Sequence, residues 1–397
     1  MTMFSMAPPH ADAVQGKERG ERDIRVLHVY RTYFPDPPGG VQEVIRQICR
    51  STRSLGISSS VFCLSPDPHP SRIDWDGVPV YRRRSWMAPA SCDLGGAAAF
   101  GTFRKLAGEA DIIHYHYPWP FADVLHAIAP KAVASIMTYH SDIVRQKYLY
   151  AFYKPLMWRM LSSMDRIVST SSEYARSSPV LSSEILKDKV SVIPIGLDEP
   201  HQEQDEGIFG RIGIDRDQPY FLFVGALRYY KNLETLIKAA STVNVPVVIA
   251  GSGPSLQALR TLAAESQASN VIFAGQVSEA QKEALLAFCR AVVLPSHLRS
   301  EAFGVVLLEA SRAGKAMLTC DIGTGSSYVN VHGETGLVVA PTHEALTVGL
   351  EKLAMNGELA RVFGRNALKR FEHHFTAARM GAAYANEYRL LAGAQRT

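Results

Sequence analysis

The feature that most constrains this chain is a rhythm that runs twice. From Ile24-Arg25-Val26-Leu27-His28-Val29-Tyr30 onward, short apolar runs alternate with longer helical segments, stop after Val190–Pro194, and resume at Tyr220. Short apolar runs separated by helices are what strands buried on both faces look like, and the crossover helices imply parallel sheets. In the first series, strands are predicted at 24–30, 60–64, 78–81, 111–116, 135–139, 166–170 and 190–194, with helices at 41–54, 121–129, 148–162 and after Ser172. In the second, strands at 220–224, 247–250, 271–273, 291–294 and 316–319 alternate with helices at 233–240, 256–264, 279–288 and 305–312, and 345–391 reads as almost wholly helical. Between them, 199–218 is polar, acidic and broken by Pro and Gly, so it reads as a linker. The expected fold is α/β, with two Rossmann-like domains, 23–197 and 198–375, facing each other across a cleft. Ligands of such sheets bind beyond the carboxyl ends of the strands.

With 397 residues, two domains are the natural division. A net charge of +4, from 42 basic and 38 acidic side chains, is too weak to argue for nucleic acid but suits an anionic substrate or membrane surface. Cys49, Cys63, Cys92, Cys289 and Cys320 form no CxxC pair, so a reducing cytoplasm is the simple expectation. No run of apolar residues is long enough to span a bilayer, and residues 1–22 read as a disordered tail, not a signal peptide.

A strand that hands over to a helix through glycine offers backbone N–H groups to an anion. Ala291-Val292-Val293-Leu294-Pro295 does so, passing through Glu301 and Phe303-Gly304 into an apolar helix start that carries Glu309. Glu301 and Glu309 have no structural need to be there, so a site is expected at this place. The loop Gly225-Ala226-Leu227-Arg228-Tyr229-Tyr230-Lys231-Asn232 adds two cations suited to a diphosphate, with a solvated loop as the competing reading. Gly39-Gly40 is either a plain turn or a place where backbone approaches a ligand. Gly251-Ser252-Gly253 looks like the start of a dinucleotide fingerprint, but Leu256 replaces the third Gly and no acid ends the next strand, which argues against NAD.

His140 ends a strand and falls at the cleft edge, where it could hydrogen-bond a sugar. His114 and His116 share one strand face but lack a third metal ligand nearby, so they read as structure or cleft lining. Asp74-Trp75-Asp76 and Asp215-Arg216-Asp217 have the form of metal-binding acid pairs, yet lie in a loop and in the linker, where chance is the better reading. Lys147–Leu161 is rich in aromatics and flanked by cations; it is either a helix packed on the sheet or one lying at a membrane surface.

Taken together, these motifs resemble the retaining glycosyltransferases of family 4, which have the GT-B fold, over about residues 24–390. Glu301 and Glu309, seven residues apart around Phe303-Gly304, match that family's paired glutamates; Gly39-Gly40, His140, Lys231, Ile193-Pro194-Ile195-Gly196 and Gly251-Ser252-Gly253 match its other motifs. There are two departures: Ala226 stands where the family usually has Arg, and Asn232 where Gly is common. The resemblance implies a donor nucleotide on the second domain, its ribose on Glu309, its diphosphate on Arg228, Lys231 and amides near Phe303 and Gly304, and its base beside Gln276 and Val277. It further implies Glu301 at the sugar, His140 reaching across from the first domain, Gly39-Gly40 close to the phosphates, and no cofactor or metal. In such a fold a last helix, here about 376–397, is expected to pack back on the first domain.

A narrower likeness, in Val26-Leu27-His28-Val29-Tyr30, Arg228–Lys231, Ser296–Glu301 and Gly323–Val329, is to bacterial O-antigen mannosyl- and D-rhamnosyltransferases that use GDP-sugars. It implies GDP-mannose or GDP-D-rhamnose as donor, a polyprenyl-diphosphate-linked saccharide as acceptor, and a place in the cytoplasm or on the inner face of its membrane. A UDP-sugar donor on the same fold, and a non-catalytic saccharide-binding protein, are the competing expectations.

Overall fold

The computed structural model describes residues 22–36, 39–88, 92–143, 147–200 and 203–394, and of Lys147, Tyr148 and Leu149 the backbone alone. The tail expected over 1–22 lies outside the described residues except for Arg22, which pairs with Asp111 at 2.8 Å.

The first domain runs β1 (Ile24–Val29), α1 (Gly40–Arg53), β2 (Ile57–Ser65), β3 (Arg72–Trp75), β4 (Val78–Met87), β5 (Leu94–Gly95), α2 (Ala97–Glu109), β6 (Ile112–Tyr117), α3 (Pro120–Ala127), β7 (Ala134–Tyr139), α4 (Lys147–Ser163), β8 (Arg166–Ser169), α5 (Ser172–Ser177) and β9 (Val190–Val192). Its sheet has the order β3-β4-β2-β1-β6-β7-β8-β9, with β5 on β4, and is parallel except where β3 and β5 meet β4. Every residue of β6 and β7 is buried, which is why these strands read as continuous apolar runs.

The second domain runs α6 (Gly207–Ile212), β10 (Phe221–Val224), α7 (Leu233–Ala240), β11 (Val247–Ala250), α8 (Leu256–Glu265), β12 (Val271–Gly275), α9 (Glu279–Phe288), β13 (Ala291–Leu294), α10 (Val305–Arg312), β14 (Ala316–Cys320), α11 (Gly325–Val329), β15 (Gly336–Val339), α12 (His343–Met355), α13 (Gly357–His374) and α14 (Ala377–Ala394). Its wholly parallel sheet has the order β12-β11-β10-β13-β14-β15. In each sheet the strand order reverses beside the first strand of the domain, between β1 and β6 and between β10 and β13. The crevice at such a switch point is where an open α/β sheet receives its ligand. The loops after β1, β10 and β13 are therefore the ones that matter.

Six elements depart from the sequence expectation. The segment 199–218 is not all linker: α6 lies in it, because Ile208 and Phe209 are buried against the second domain's core. Helix α2 was not expected; its Ala-rich, Gly-containing sequence has little amphipathic pattern, yet it buries Ala99, Phe103, Leu106 and Ala107. Strands β3, β5 and β15 and helix α11 are also additional to the expected set.

The chain crosses between domains twice, side by side. Leu197 N–H donates to Phe375 O (2.9 Å), and Ala377 N–H donates to Leu197 O (2.8 Å). A Cβ at Gly196 would lie 2.3 Å from Thr376 O, so only glycine permits this approach. After the second crossing α14 lies on α1, β1 and β6 of the first domain, where Met380, Tyr384 and Tyr388 are buried.

Candidate active site

Two helix starts meet in the cleft. Helix α1 begins at Gly40 after an extended Gly39, and α10 begins at Val305 after Gly304, whose φ of +80° is the left-handed region that favours glycine. Neither has a side-chain cap to compete with an anion for its first N–H groups, although in α10 Leu307 N–H is taken by Gly304 O at 2.8 Å. A methyl group built on Gly40 would lie 4.0 Å from Val305 Cγ2, which places the two helix starts against one another across the domain boundary. An anion between them would see two positive dipole ends.

The loops around this point carry the charged side chains. Lys231 closes a single 3-10 turn, Tyr229–Lys231, is buried, and pairs with Glu301 from the loop after β13. Ser296 Oγ donates to the same Glu301 carboxylate at 3.1 Å, and His297 N–H donates to Tyr230 O at 3.1 Å, tying the loops together. The resemblance assigned Lys231 and Glu301 to separate parts of the donor; here they are one buried ion pair. Asn232 follows at φ 55°, ψ 38°, and accepts a hydrogen bond from Thr235 Oγ1 (2.7 Å). Asparagine is among the few residues besides glycine that adopt this conformation readily, so its presence in place of Gly preserves the turn.

Arg228 is exposed at the mouth of the same loop, with no side-chain hydrogen bond or ion pair among the described residues, and Ala226 beside it is also exposed. Phe303 is buried in the second domain's core, edge-on to Phe375, so its backbone alone is available to a ligand. Glu309 accepts from Lys282 Nζ at 2.7 Å. Burial pulls the Lys282 ammonium down, but Glu309 and Glu279 outweigh it and hold it above the ordinary lysine range. Val277 is half-buried beside the exposed Gln276, at the turn between β12 and α9.

Gly251 and Gly253 have an explanation that needs no ligand. A Cβ at Gly251 would lie 2.0 Å from Gly225 O, and one at Gly253 would lie 2.5 Å from Leu227 O. The two loops are hydrogen-bonded, Leu227 N–H to Ser252 O at 2.9 Å. These glycines let the 251–253 loop seat the Lys231 loop.

The sequence reading attached no role to Asp142 or Arg299, which join the domains beside the cleft. Arg299 donates to Asp142 Oδ2 at 3.1 Å, to Ser177 Oγ at 3.0 Å and to Gly323 O at 3.0 Å, and stands over the Tyr174 ring. Asp142 also accepts from Tyr139 Oη (3.0 Å) and Ser178 Oγ (2.7 Å). Next to Glu301, Ala302 joins the apolar cluster of the first domain.

His140 lies on the first-domain side, buried, its Nε2 3.1 Å from His116 Nδ1. Contrary to the sequence reading, His114 and His116 do have a third histidine close by: His28 on β1, with ligand atoms of all three within 4.8 Å. The group nonetheless does not suit a metal. His114 is held by the Tyr388 and Thr138 hydroxyls at 2.7 Å each, and His116 by His28 and His140 at 3.1 Å each, so among these three only His28 Nε2 is without a partner. Both Asp-x-Asp pairs are turn formers: Asp74 Oδ1 accepts from Gly77 N (2.8 Å) in the β3–β4 hairpin, and Asp215 Oδ1 accepts from Asp217 N (2.9 Å).

Two Rossmann-like domains closed around facing helix starts form the GT-B architecture of glycosyltransferases. A solved structure of sucrose-phosphate synthase from Thermosynechococcus elongatus shares the fold, with a TM-score of 0.76 at 19% identity over 94% of this chain and 100% of that one. The chain is a glycosyltransferase and belongs to family 4: the model for Glycosyltransferase Family 4 matches residues 38–201, and that for Glycosyl transferases group 1 matches 204–370. D-rhamnosyltransferase WbpZ of Pseudomonas aeruginosa is 44% identical over 89% of this chain and 93% of that protein. O-antigen chain mannosyltransferase C of Escherichia coli is 40% identical over 93% of this chain and 99% of that protein.

Proposed function

We propose that this enzyme moves a mannosyl or D-rhamnosyl group from a GDP-sugar to a polyprenyl-diphosphate-linked saccharide in bacterial O-antigen synthesis, with retention of configuration and without a metal. The observation that carries the chemistry is the meeting of the α1 and α10 starts at Gly40 and Val305, with Lys231 in the adjoining loop. The donor sugar and acceptor class rest on the likeness to the two bacterial O-antigen enzymes.

Departure of a nucleoside diphosphate leaves negative charge on its oxygens, and preorganised cations and N–H dipoles stabilise that charge. On donor binding, the β-phosphate competes with Glu301 for Lys231. Glu301, released from full pairing but still held by Ser296, then accepts hydrogen bonds from sugar hydroxyls. Glu309, held in place by Lys282, accepts from the ribose hydroxyls in the same way. Arg228 supplies the charge that the alanine at 226 does not. His140 faces this assembly from the first domain, and the leaving phosphate serves as the base for the acceptor hydroxyl on the same face of the sugar.

Helix α4 presents Phe152, 87% exposed, beside Lys154 on the first domain's surface, and this supports a peripheral contact with the membrane that carries the lipid acceptor. No helix among the described residues is long and apolar enough to cross a membrane.

Calorimetry with GDP against UDP, followed by transfer of radiolabelled sugar to lipid extract in millimolar EDTA, tests the reading. Tighter GDP binding and unimpaired transfer are expected. Preference for UDP replaces the donor, loss of transfer in EDTA replaces the metal-free mechanism, and binding without transfer leaves a saccharide-binding protein.

A further inference from the structure

Three neighbouring strands place a file of histidines on one sheet face. His28 on β1 is in register with His114 on β6; His116 lies two residues further along β6, in register with Thr138 on β7; and His140 lies two residues beyond Thr138. Side chains two apart on a strand share a face, so each step moves one strand over and toward the cleft. The rings join directly: His28 Nδ1 to His116 Nε2 at 3.1 Å, and His116 Nδ1 to His140 Nε2 at 3.1 Å. Neighbouring rings are close to parallel, 20° and 21° apart. One end of the file, His28 Nε2, is buried without a hydrogen-bond partner; the other end, His140 Nδ1, is held by no protein group among the described residues.

Burial removes the charge from all three rings, with His28 and His140 pushed down to about 3 and His116 well below its ordinary value. A neutral imidazole has one N–H, so the file can point only one way or the other. If protons sit on Nε2, His140 donates inward and the file ends on a buried His28 N–H with no acceptor. If they sit on Nδ1, each ring donates outward and the file ends on a bare lone pair at His28. An orphaned buried N–H is the rarer and costlier fault, and the second polarity avoids it.

We propose that His116, oriented by His28, is a positioning residue that fixes the tautomer of His140, so that His140 presents an Nδ1–H donor to the cleft. This rests on the reading of His140 as part of the donor site. It makes His140 a neutral hydrogen-bond donor toward the transferred sugar or the leaving phosphate, and excludes it as the base that accepts the acceptor proton. Sequence reasoning gave His28 no role, because a histidine in the middle of an apolar strand signals nothing without the register of its neighbours.

The test is nitrogen NMR on the whole protein labelled with 15N-histidine, the His140 signals being assigned by their loss in His140→Gln. A pyrrole-type Nδ1 and a pyridine-type Nε2 on His140 are expected; the reverse pattern overturns the proposal without any assay of activity. His116→Phe should leave His140 as a mixture of tautomers and lower kcat about tenfold, the worth of one hydrogen bond. His116→Asn, whose amide N–H stands where Nδ1–H was, should restore both. An unchanged His140 spectrum in His116→Phe also overturns the proposal, and if that variant fails to fold, the wild-type spectrum decides. A Nδ1-protonated His140 in a protein that transfers no GDP-sugar would instead refute the proposed function and leave the tautomer assignment standing.

Discussion

Arg299 and Asp142, 157 residues apart in sequence and on opposite domains, are joined by a 3.1 Å hydrogen-bonded ion pair at the edge of the cleft. Asp142 lies two residues beyond His140 and Arg299 two before Glu301, so the latch holds the two halves of the site in register. Breaking a partly exposed pair of this kind costs about 1 kcal/mol, which lowers the closed fraction and weakens apparent donor affinity about fivefold. Arg299→Ala should raise the donor KM by that factor with little change in thermal midpoint. Small-angle scattering should show a wider apo envelope; an unchanged KM and envelope would rule the latch out.

Lys231 and Glu301 test the phosphate assignment. Lys231→Ala removes a cation from the leaving group and should lower turnover at least about a hundredfold. It also leaves a buried carboxylate without its partner, which costs about 3–5 kcal/mol. Adding Glu301→Gln should recover much of the lost stability and none of the turnover. A double variant that regains activity would show that the lysine serves only the fold.

The glycines separate into two kinds. Gly253→Ala forces a methyl group to 2.5 Å from Leu227 O, so the loop must shift and the melting midpoint should fall with or without donor. Gly40→Ala meets nothing nearer than 4.0 Å and puts a better helix former in the first turn, so stability should hold or rise by about 0.5–1 kcal/mol. Gly40→Phe would crowd the gap between the helix starts and should weaken GDP binding in calorimetry. Undiminished GDP affinity in Gly40→Phe would place the diphosphate elsewhere.

The buried histidines set an acid limit on stability. His28 and His140 titrate at about 3 in the fold and near 6.5 when unfolded. The unfolded chain therefore binds protons first as pH falls, and the stability that is full above about 6.5 drains away between there and 3, by about 1.4 kcal/mol per pH unit for each ring. Urea midpoints should drop clearly between pH 7.5 and pH 5; equal midpoints would mean the rings are solvated.

Much of the fold was legible because buried parallel strands cannot hide their apolar runs, and the rhythm of Ile24–Val29 against α1 repeats through both sheets. Helix α2 escaped because Ala and Gly give little contrast between faces, and α6 because two buried residues in an acidic stretch are a small signal. The strand-to-helix geometry around Glu301 and Gly304 was legible from glycine spacing. The partnerships were not: Lys231 with Glu301, Arg299 with Asp142 and His28 with His116 depend on strand register and domain closure, which no local pattern encodes.

Helix α14 has a consequence for how this protein is made. Its Tyr384 and Tyr388 hydroxyls bond Thr138 and His114, its Glu387 pairs with Arg166, and Arg389 reaches Leu55 O, all in the domain that leaves the ribosome first. That domain must wait, its β6–β7 face uncovered, while the whole second domain is synthesised and threaded past it. Strands made early are covered only by a helix made after the second domain, so a chain cut just before Ala377 would keep the second domain's sheet whole and leave the first domain's β6–β7 face bare.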